Sequence, residues 1–186
     1  MRCPTCQSSE LDEFFEISAV PVLCNQLLQT RDEALAAPTG EVRLGCCPDC
    51  AMVFNMAFDE SRIVYSGSYE NSLHFSARFQ DYARELAQRL VGRYGLEEDS
   101  EILEIGCGKG EFLKLICGLS GSRGIGIDAS FEGGLDDDRI RVIREPFSEV
   151  HQDLQADLVC CRHVLEHIPG PRRFLKQVRA VAAARA

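Results

Sequence analysis

The chain has 186 residues, 45% of them hydrophobic, and a net charge of −9 with a pI near 5.0. That length and apolar content suit one medium domain, or a small one beside a partial one, and exclude a wholly disordered chain. The acidic balance argues against a general nucleic-acid or anionic-membrane surface, so neither partner is expected. No apolar run reaches the ~18 residues of a membrane span, and Met1-Arg2-Cys3-Pro4 does not open a signal peptide. A cytoplasmic protein is the expectation.

Ten cysteines are many for such a chain, and their placement carries the information. Cys3-Pro4-Thr5-Cys6 and Cys47-Pro48-Asp49-Cys50 are two C-x-x-C knuckles separated by 40 residues. In a reducing compartment paired knuckles read as a metal site, and four thiolates close a tetrahedral, structural Zn²⁺ site. Cys46 competes for register with Cys47, but its spacing to Cys50 is the rarer one. Residues 1–70 are therefore expected to form a zinc-binding domain with a linker. Leu11–Ile17, Val42–Leu44 and Ala51–Asn55 are its candidate strands. Tyr65-Ser66-Gly67-Ser68-Tyr69-Glu70-Asn71 reads as the linker, where Tyr65 and Tyr69 either line a pocket mouth or simply pack.

Residues 71–186 begin with a helical pattern from Ser72 to Tyr94, with Phe75, Phe79, Tyr82, Ala83, Leu86 and Leu90 on one face and Gly95 as its stop. The apolar run Ile102–Ile105 then reads as a buried parallel strand. Gly106, Gly108 and Gly110 follow at alternate positions, and a helix starts near Phe112. Strand, glycine turn and helix let backbone approach a nucleotide-like ligand closely. Gly124–Asp128 is a second strand ending in an acid 18 residues beyond Gly110, placed to accept ribose hydroxyls. Asp136-Asp137-Asp138 reads as a solvated loop. Arg139–Ile143 is a third strand and Ala156–Cys160 a fourth, running into Cys161-Arg162-His163-Val164-Leu165-Glu166-His167-Ile168. A last helix begins at Pro171, with Phe174, Leu175, Val178, Val181 and Ala182 as its apolar face.

Glu104-x-Gly106-x-Gly108-x-Gly110 resembles motif I of the class I S-adenosylmethionine-dependent methyltransferases, and the Asp157-to-Ile168 segment resembles their motif IV and its continuation. The resemblance implies an α/β fold: a partial Rossmann-like sheet of strand order 3-2-1-4, the amino-terminal part of such a domain, preceded by the small zinc-binding domain. It implies S-adenosyl-L-methionine at Glu104, Gly106, Cys107, Gly108, Gly110, Asp128, Ala129, Glu145, Pro146, Phe147, Cys161 and Arg162. His163, His167, Tyr65 and Tyr69 are the candidate bases.

With Cys3, Cys6, Cys47 and Cys50 as zinc ligands, the whole chain is similar to the zinc-containing sugar C-methyltransferases. That narrows the expected substrate to a small molecule, a carbon of a nucleotide-linked keto-sugar. A zinc-containing ribosomal RNA base methyltransferase and a non-catalytic cofactor-binding fragment are the alternatives. Members of the family continue with three further strands, so the chain is expected to be a piece whose fourth strand is an exposed edge open to self-association.

Overall fold

The computed structural model describes residues 1–23, 26–63 and 73–183. Close contacts divide the chain into two units, one built on the cysteine knuckles and one on a parallel sheet.

In the first unit β1 (Asp12–Pro21), β2 (Thr39–Cys46) and β3 (Val53–Asn55) form an antiparallel sheet in that order. β1 and β2 run longer than their apolar cores predict, whereas β3 is shorter than the expected Ala51–Asn55 because Ala51 is left-handed at φ 58°. Irregularities between Glu13 and Phe15 and between Ile17 and Val20, with Ala19 in the left-handed region at φ 58°, carry β1 on to pair Val20 with Gly40 and Pro21 with Thr39. A short helix α1 (Arg31–Leu35), unforeseen in the sequence analysis, is closed by a capping box. Thr30 Oγ1 accepts from the Glu33 backbone N–H, and Glu33 accepts from that of Thr30. Among the described residues of this unit, Cys3 and Cys47 are the only apolar side chains that are fully buried.

The second unit starts with helix α2 (Ala77–Tyr94). Ser76 accepts from the Phe79 backbone N–H and Gly95 closes the far end at φ 58°. The predicted helix began too early: Phe75 lies ahead of the cap and is 78% exposed. The extended backbone at Ser76 is what stops it there, because a cap residue cannot itself be helical. The buried face is narrower than predicted too, set by Ala83 and Ala87, while Tyr82 is 48% exposed.

Strands β4 (Glu101–Ile105), β5 (Arg123–Ile127), β6 (Ile140–Ile143) and β7 (Leu158–Cys161) are all parallel and lie in the order β6-β5-β4-β7. Counted within this sheet, the order is third, second, first, fourth. The alternation Gly124-Ile125-Gly126-Ile127 explains its two faces. The isoleucines join Leu103, Ile105, Phe174 and Val181 in one cluster, reaching helix α4 (Pro171–Val181). Gly124 faces helix α3 (Glu111–Ser120), where a Cβ on it would stand 2.8 Å from Cys117 Sγ and 3.1 Å from Leu113, and Gly126 faces Cys107. Ile102, Leu113, Ile116, Ala83 and Ala87 complete that side.

Leu175 was predicted on the apolar face of α4 but is 50% exposed, since the helix packs through Phe174, Val178 and Val181. β7 is the outermost strand of the sheet, yet the chain after α4 returns beside its start, with Ala182 bridged to Ala156. No helix among the described residues is long and apolar enough to cross a membrane.

The burial pattern yields a clear contrast. Ile116→Ala should cost about 2–5 kcal/mol in denaturant unfolding, as for other buried aliphatic truncations, and Leu175→Ala under about 1. Similar losses at both positions would contradict the packing described.

Candidate functional site

β4 delivers Ile105 to a turn in which Gly106, Gly108 and Gly110 have φ of 68°, 55° and 77°. Each is a left-handed conformation that side chains resist. The turn is pinned from three sides. Gly106 N–H donates to Ile127 O (2.8 Å), Gly110 N–H to Cys107 O (2.9 Å), and Gly108 N–H to Asp128 Oδ2 (2.7 Å). Asp128 Oδ1 is held by the Ser130 N–H and hydroxyl at 2.8 and 2.6 Å. The strand-end acid therefore shapes the glycine turn while keeping one lone pair, on Oδ2, for a ligand. Ala129 is exposed in the same bend. α3 starts at Glu111 with no side-chain cap on its first amides.

Glu104 sits behind this turn, buried, facing α3 with Ile102. Its Oε1 is 3.8 Å from Arg162 Nη1, whereas Oε2 is buried with no hydrogen-bond partner. Burial pushes its carboxyl up to about 8; Arg162 and the Leu113 backbone pull the other way, and Asp128 adds to the rise. The guanidinium carbon of Arg162 lies over Phe112, 3.8 Å from the ring centroid. A buried acid with one idle oxygen suits a cationic group, so the ammonium end of S-adenosylmethionine fits this donor set.

The other predicted residues are placed as follows. Cys107 is buried against Gly126, and burial raises its thiol to about 12, so it stays protonated. Cys161 pairs with Ile105 at the end of β7, on the ligand edge of the sheet. Asp128 N–H donates to Ile143 O (3.1 Å), which brings the exit of β6, and with it Glu145-Pro146-Phe147, to the same edge. There Phe147 turns inward, stacked on His151 and edge-on to Phe174.

His163 is strained at φ 54°, its side chain 66% exposed and its Nδ1 4.0 Å from Glu166 Oε1. His167 is exposed in the 3-10 turn Leu165–His167. Tyr65 lies outside the described residues, as does Tyr69. Sequence reasoning missed Val164 and Leu135, whose side chains lie where Cβ atoms on Gly106 and Gly110 would project. Val164 was within the motif IV segment but carried no polar signal, and Leu135 was hidden in an acidic loop.

In the other unit, the Sγ atoms of Cys3, Cys6, Cys47 and Cys50 all lie within 4.8 Å of one another. Cys3–Cys50 and Cys6–Cys47 are 3.6 and 3.5 Å apart. Those distances are far beyond a disulfide of about 2 Å and close to the ~3.8 Å edge of a thiolate tetrahedron around a metal at ~2.3 Å. The two knuckles share one backbone device. Gln7 N–H donates to Cys3 O and Ala51 N–H to Cys47 O, at 3.0 and 2.8 Å. Cys3 N–H donates to Ser8 O and Cys47 N–H to Met52 O, both at 2.9 Å. Gln7 and Ala51 are left-handed at φ 70° and 58°. Burial opposes ionisation of Cys3, but hydrogen bonds from the Cys6 and Thr5 N–H groups and from the Cys50 and Cys6 thiols together outweigh it and bring that thiol down to about 7. The four residues can hold a thiophilic divalent cation.

The family model described as a methyltransferase domain matches residues 75–184. None of the curated proteins matches the chain. Among solved structures, the plantazolicin methyltransferase BpumL in complex with SAH is similar at a TM-score of 0.48 and 22% identity, over 59% of this chain and 47% of that one. An S-adenosyl-L-homocysteine-bound SAM-dependent methyltransferase from Thiobacillus denitrificans gives 0.41 and 18%, over 53% and 44%. CalO1, a methyltransferase in calicheamicin biosynthesis in its SAH-bound form, gives 0.42 and 20%, over 60% and 36%. The chain spans less than half the length of each. On the family match over most of its second unit, the chain belongs to the methyltransferase-domain family.

Proposed function

We propose that this chain is the cofactor-binding part of an S-adenosylmethionine-dependent methyltransferase, with residues 1–70 forming a zinc-binding domain and 71–186 the amino-terminal part of the methyltransferase domain. The observation that carries the reading is the partnerless Oε2 of Glu104 behind the glycine turn. When bound, the cofactor supplies an electrophilic methyl group on a sulfonium. Glu104 would take its ammonium end, and Arg162 and Cys161 flank that end. Gly106, Cys107, Gly108 and Gly110 supply close-lying backbone. Asp128, with Ala129, would receive the ribose, and Glu145, Pro146 and Phe147 would border the adenine.

The chain's contribution to such a transfer is to hold two reactants in line and exclude water. We take the substrate to be a small molecule, a nucleotide-linked keto-sugar methylated at carbon. A carbon beside a ketone needs a base to remove a proton first. His163, exposed at the ligand edge, is the better placed of the two described candidates, with His167 second. The ribosomal RNA alternative is disfavoured by the net charge of −9. Self-association through the β7 edge is a further expectation of the same reading.

In the cysteine unit a structural zinc ion would replace the apolar core that the described residues do not form. Chelation at neutral pH should then unfold this unit, seen as loss of its strand signal and release of one zinc per chain in a colorimetric assay. A chain that keeps the strand signal after losing all metal would refute the structural role.

Calorimetry with S-adenosylhomocysteine tests the main reading. A folded, zinc-loaded chain that does not bind it would leave a non-catalytic module as the answer. Adding keto-sugar nucleotides or RNA with the labelled cofactor then separates the substrate classes.

The carboxyl of Glu104 gives a sharper signature. Its pKa is raised from 4.5 to about 8, so the folded state holds a proton that the unfolded chain releases. Its contribution to stability is therefore full below about pH 4.5 and is lost as pH rises towards 8. Glu104→Gln should raise Tm at pH 8, flatten the fall of Tm across that window, and weaken S-adenosylmethionine binding at least tenfold. Wild-type affinity should climb with pH to about 8, as the acid ionises to meet a cation. A variant that lowers Tm at pH 8, or binds unchanged, would remove Glu104 from this role.

A further inference from the structure

The exit of β6 is shaped by a buried histidine that no part of the cofactor reading uses. His151 is 4% exposed, in a 3-10 turn formed by Glu149–His151. Its Nδ1 accepts from the backbone N–H of Ser148 at 3.1 Å. Its ring stacks on Phe147, with centroids 5.6 Å apart and planes 20° from parallel. Nε2 is 3.0 Å from Glu145 Oε1 but makes no directed hydrogen bond. One imidazole thus touches Glu145, Phe147 and Ser148, three of the four residues from Glu145 to Ser148.

The tautomer follows from geometry. With Ser148 N–H aimed at it, Nδ1 must be the acceptor and the ring proton must sit on Nε2. A proton on Nδ1 would point at Ser148 O, 3.3 Å away, and strand the Ser148 N–H.

This segment leaves the sheet where Ile143 O receives the Asp128 N–H, at the edge that carries the glycine turn. We propose that His151 is a positioning residue for the nucleoside end of the ligand site. Its Nδ1 holds the Ser148 amide, and its ring holds Phe147, so that the Glu145–Phe147 segment keeps one conformation beside Asp128. The inference rests on the cofactor reading above and names a residue that acts through others without touching the ligand.

Three substitutions separate the acceptor from the ring. His151→Asn places an amide oxygen near the Nδ1 position and keeps the acceptor. His151→Gln extends past it and loses it. His151→Phe keeps the stacking and loses the acceptor. Affinity for S-adenosylhomocysteine and for free adenosine is measured by calorimetry on the full, zinc-loaded chain, with Tm as the control for folding.

Losing one buried hydrogen bond of roughly 1–1.5 kcal/mol corresponds to about a tenfold change. The Gln and Phe variants should therefore bind both ligands about tenfold more weakly, by the same factor for each, and Asn should stay within about threefold of wild type. Wild-type affinity in Gln and Phe would overturn the proposal. So would failure of Asn to rescue, or a loss confined to S-adenosylhomocysteine with adenosine unaffected. A folded wild-type chain that binds neither ligand would overturn the cofactor reading itself.

Discussion

Glu104 is buried in the second unit with one carboxylate oxygen near Arg162 and the other facing no partner. Leaving a buried polar atom unmatched costs roughly 1–3 kcal/mol, so the surrounding structure has to be strong enough to hold it there. That strength comes from β4, hydrogen-bonded on both sides and flanked by helices on one face and by α4 on the other. Gly124 lets α3 sit close on the sheet, and Glu104 is buried on the strand next to it. Packing and electrostatics are a single constraint here: whatever draws α3 onto the sheet also raises the carboxyl.

The ligand edge follows from that constraint. Parallel strands end together, so the glycine turn, Asp128, the β6 exit and Arg162 all emerge on one side of the sheet. Arg162 links two of these elements by lying over Phe112 of α3 while leaning towards Glu104. Asp128 links the glycine turn to the β6 exit through its side chain and its amide. The site is a web of strand ends, each held by its neighbour.

The cysteine unit solves the opposite problem. β1 exposes nearly every side chain, β2 and β3 are mostly half-buried, and among the described residues of the strands and knuckles only Cys3 and Cys47 are fully buried apolar side chains. A unit so small is held by cross-links where a larger one relies on oil-like burial. Two knuckles with the same hydrogen bonds and a left-handed residue at the same position bring four sulfurs together at one end of the sheet, where Asp12 pairs with Cys46.

Local pattern was enough for the parts whose physics is local. Alternate glycines permit the left-handed turn that follows β4, C-x-x-C forms a knuckle by its own hydrogen bonds, and the short apolar runs Ile102–Ile105 and Gly124–Ile127 read as buried strands. From these the four-stranded α/β sheet and the clustering of Cys3, Cys6, Cys47 and Cys50 were legible. What tertiary structure alone decided was which side chains meet. Nothing near His151 in sequence says that its ring will stack on Phe147 and take the Ser148 amide. Val164 and Leu135 gave no chemical signal for covering the glycine turn, and Leu175 and Phe75 looked like core but are exposed. The reason is that burial at an element's edge depends on where the neighbouring element stops, and caps such as Ser76 set that by a hydrogen bond to one backbone N–H.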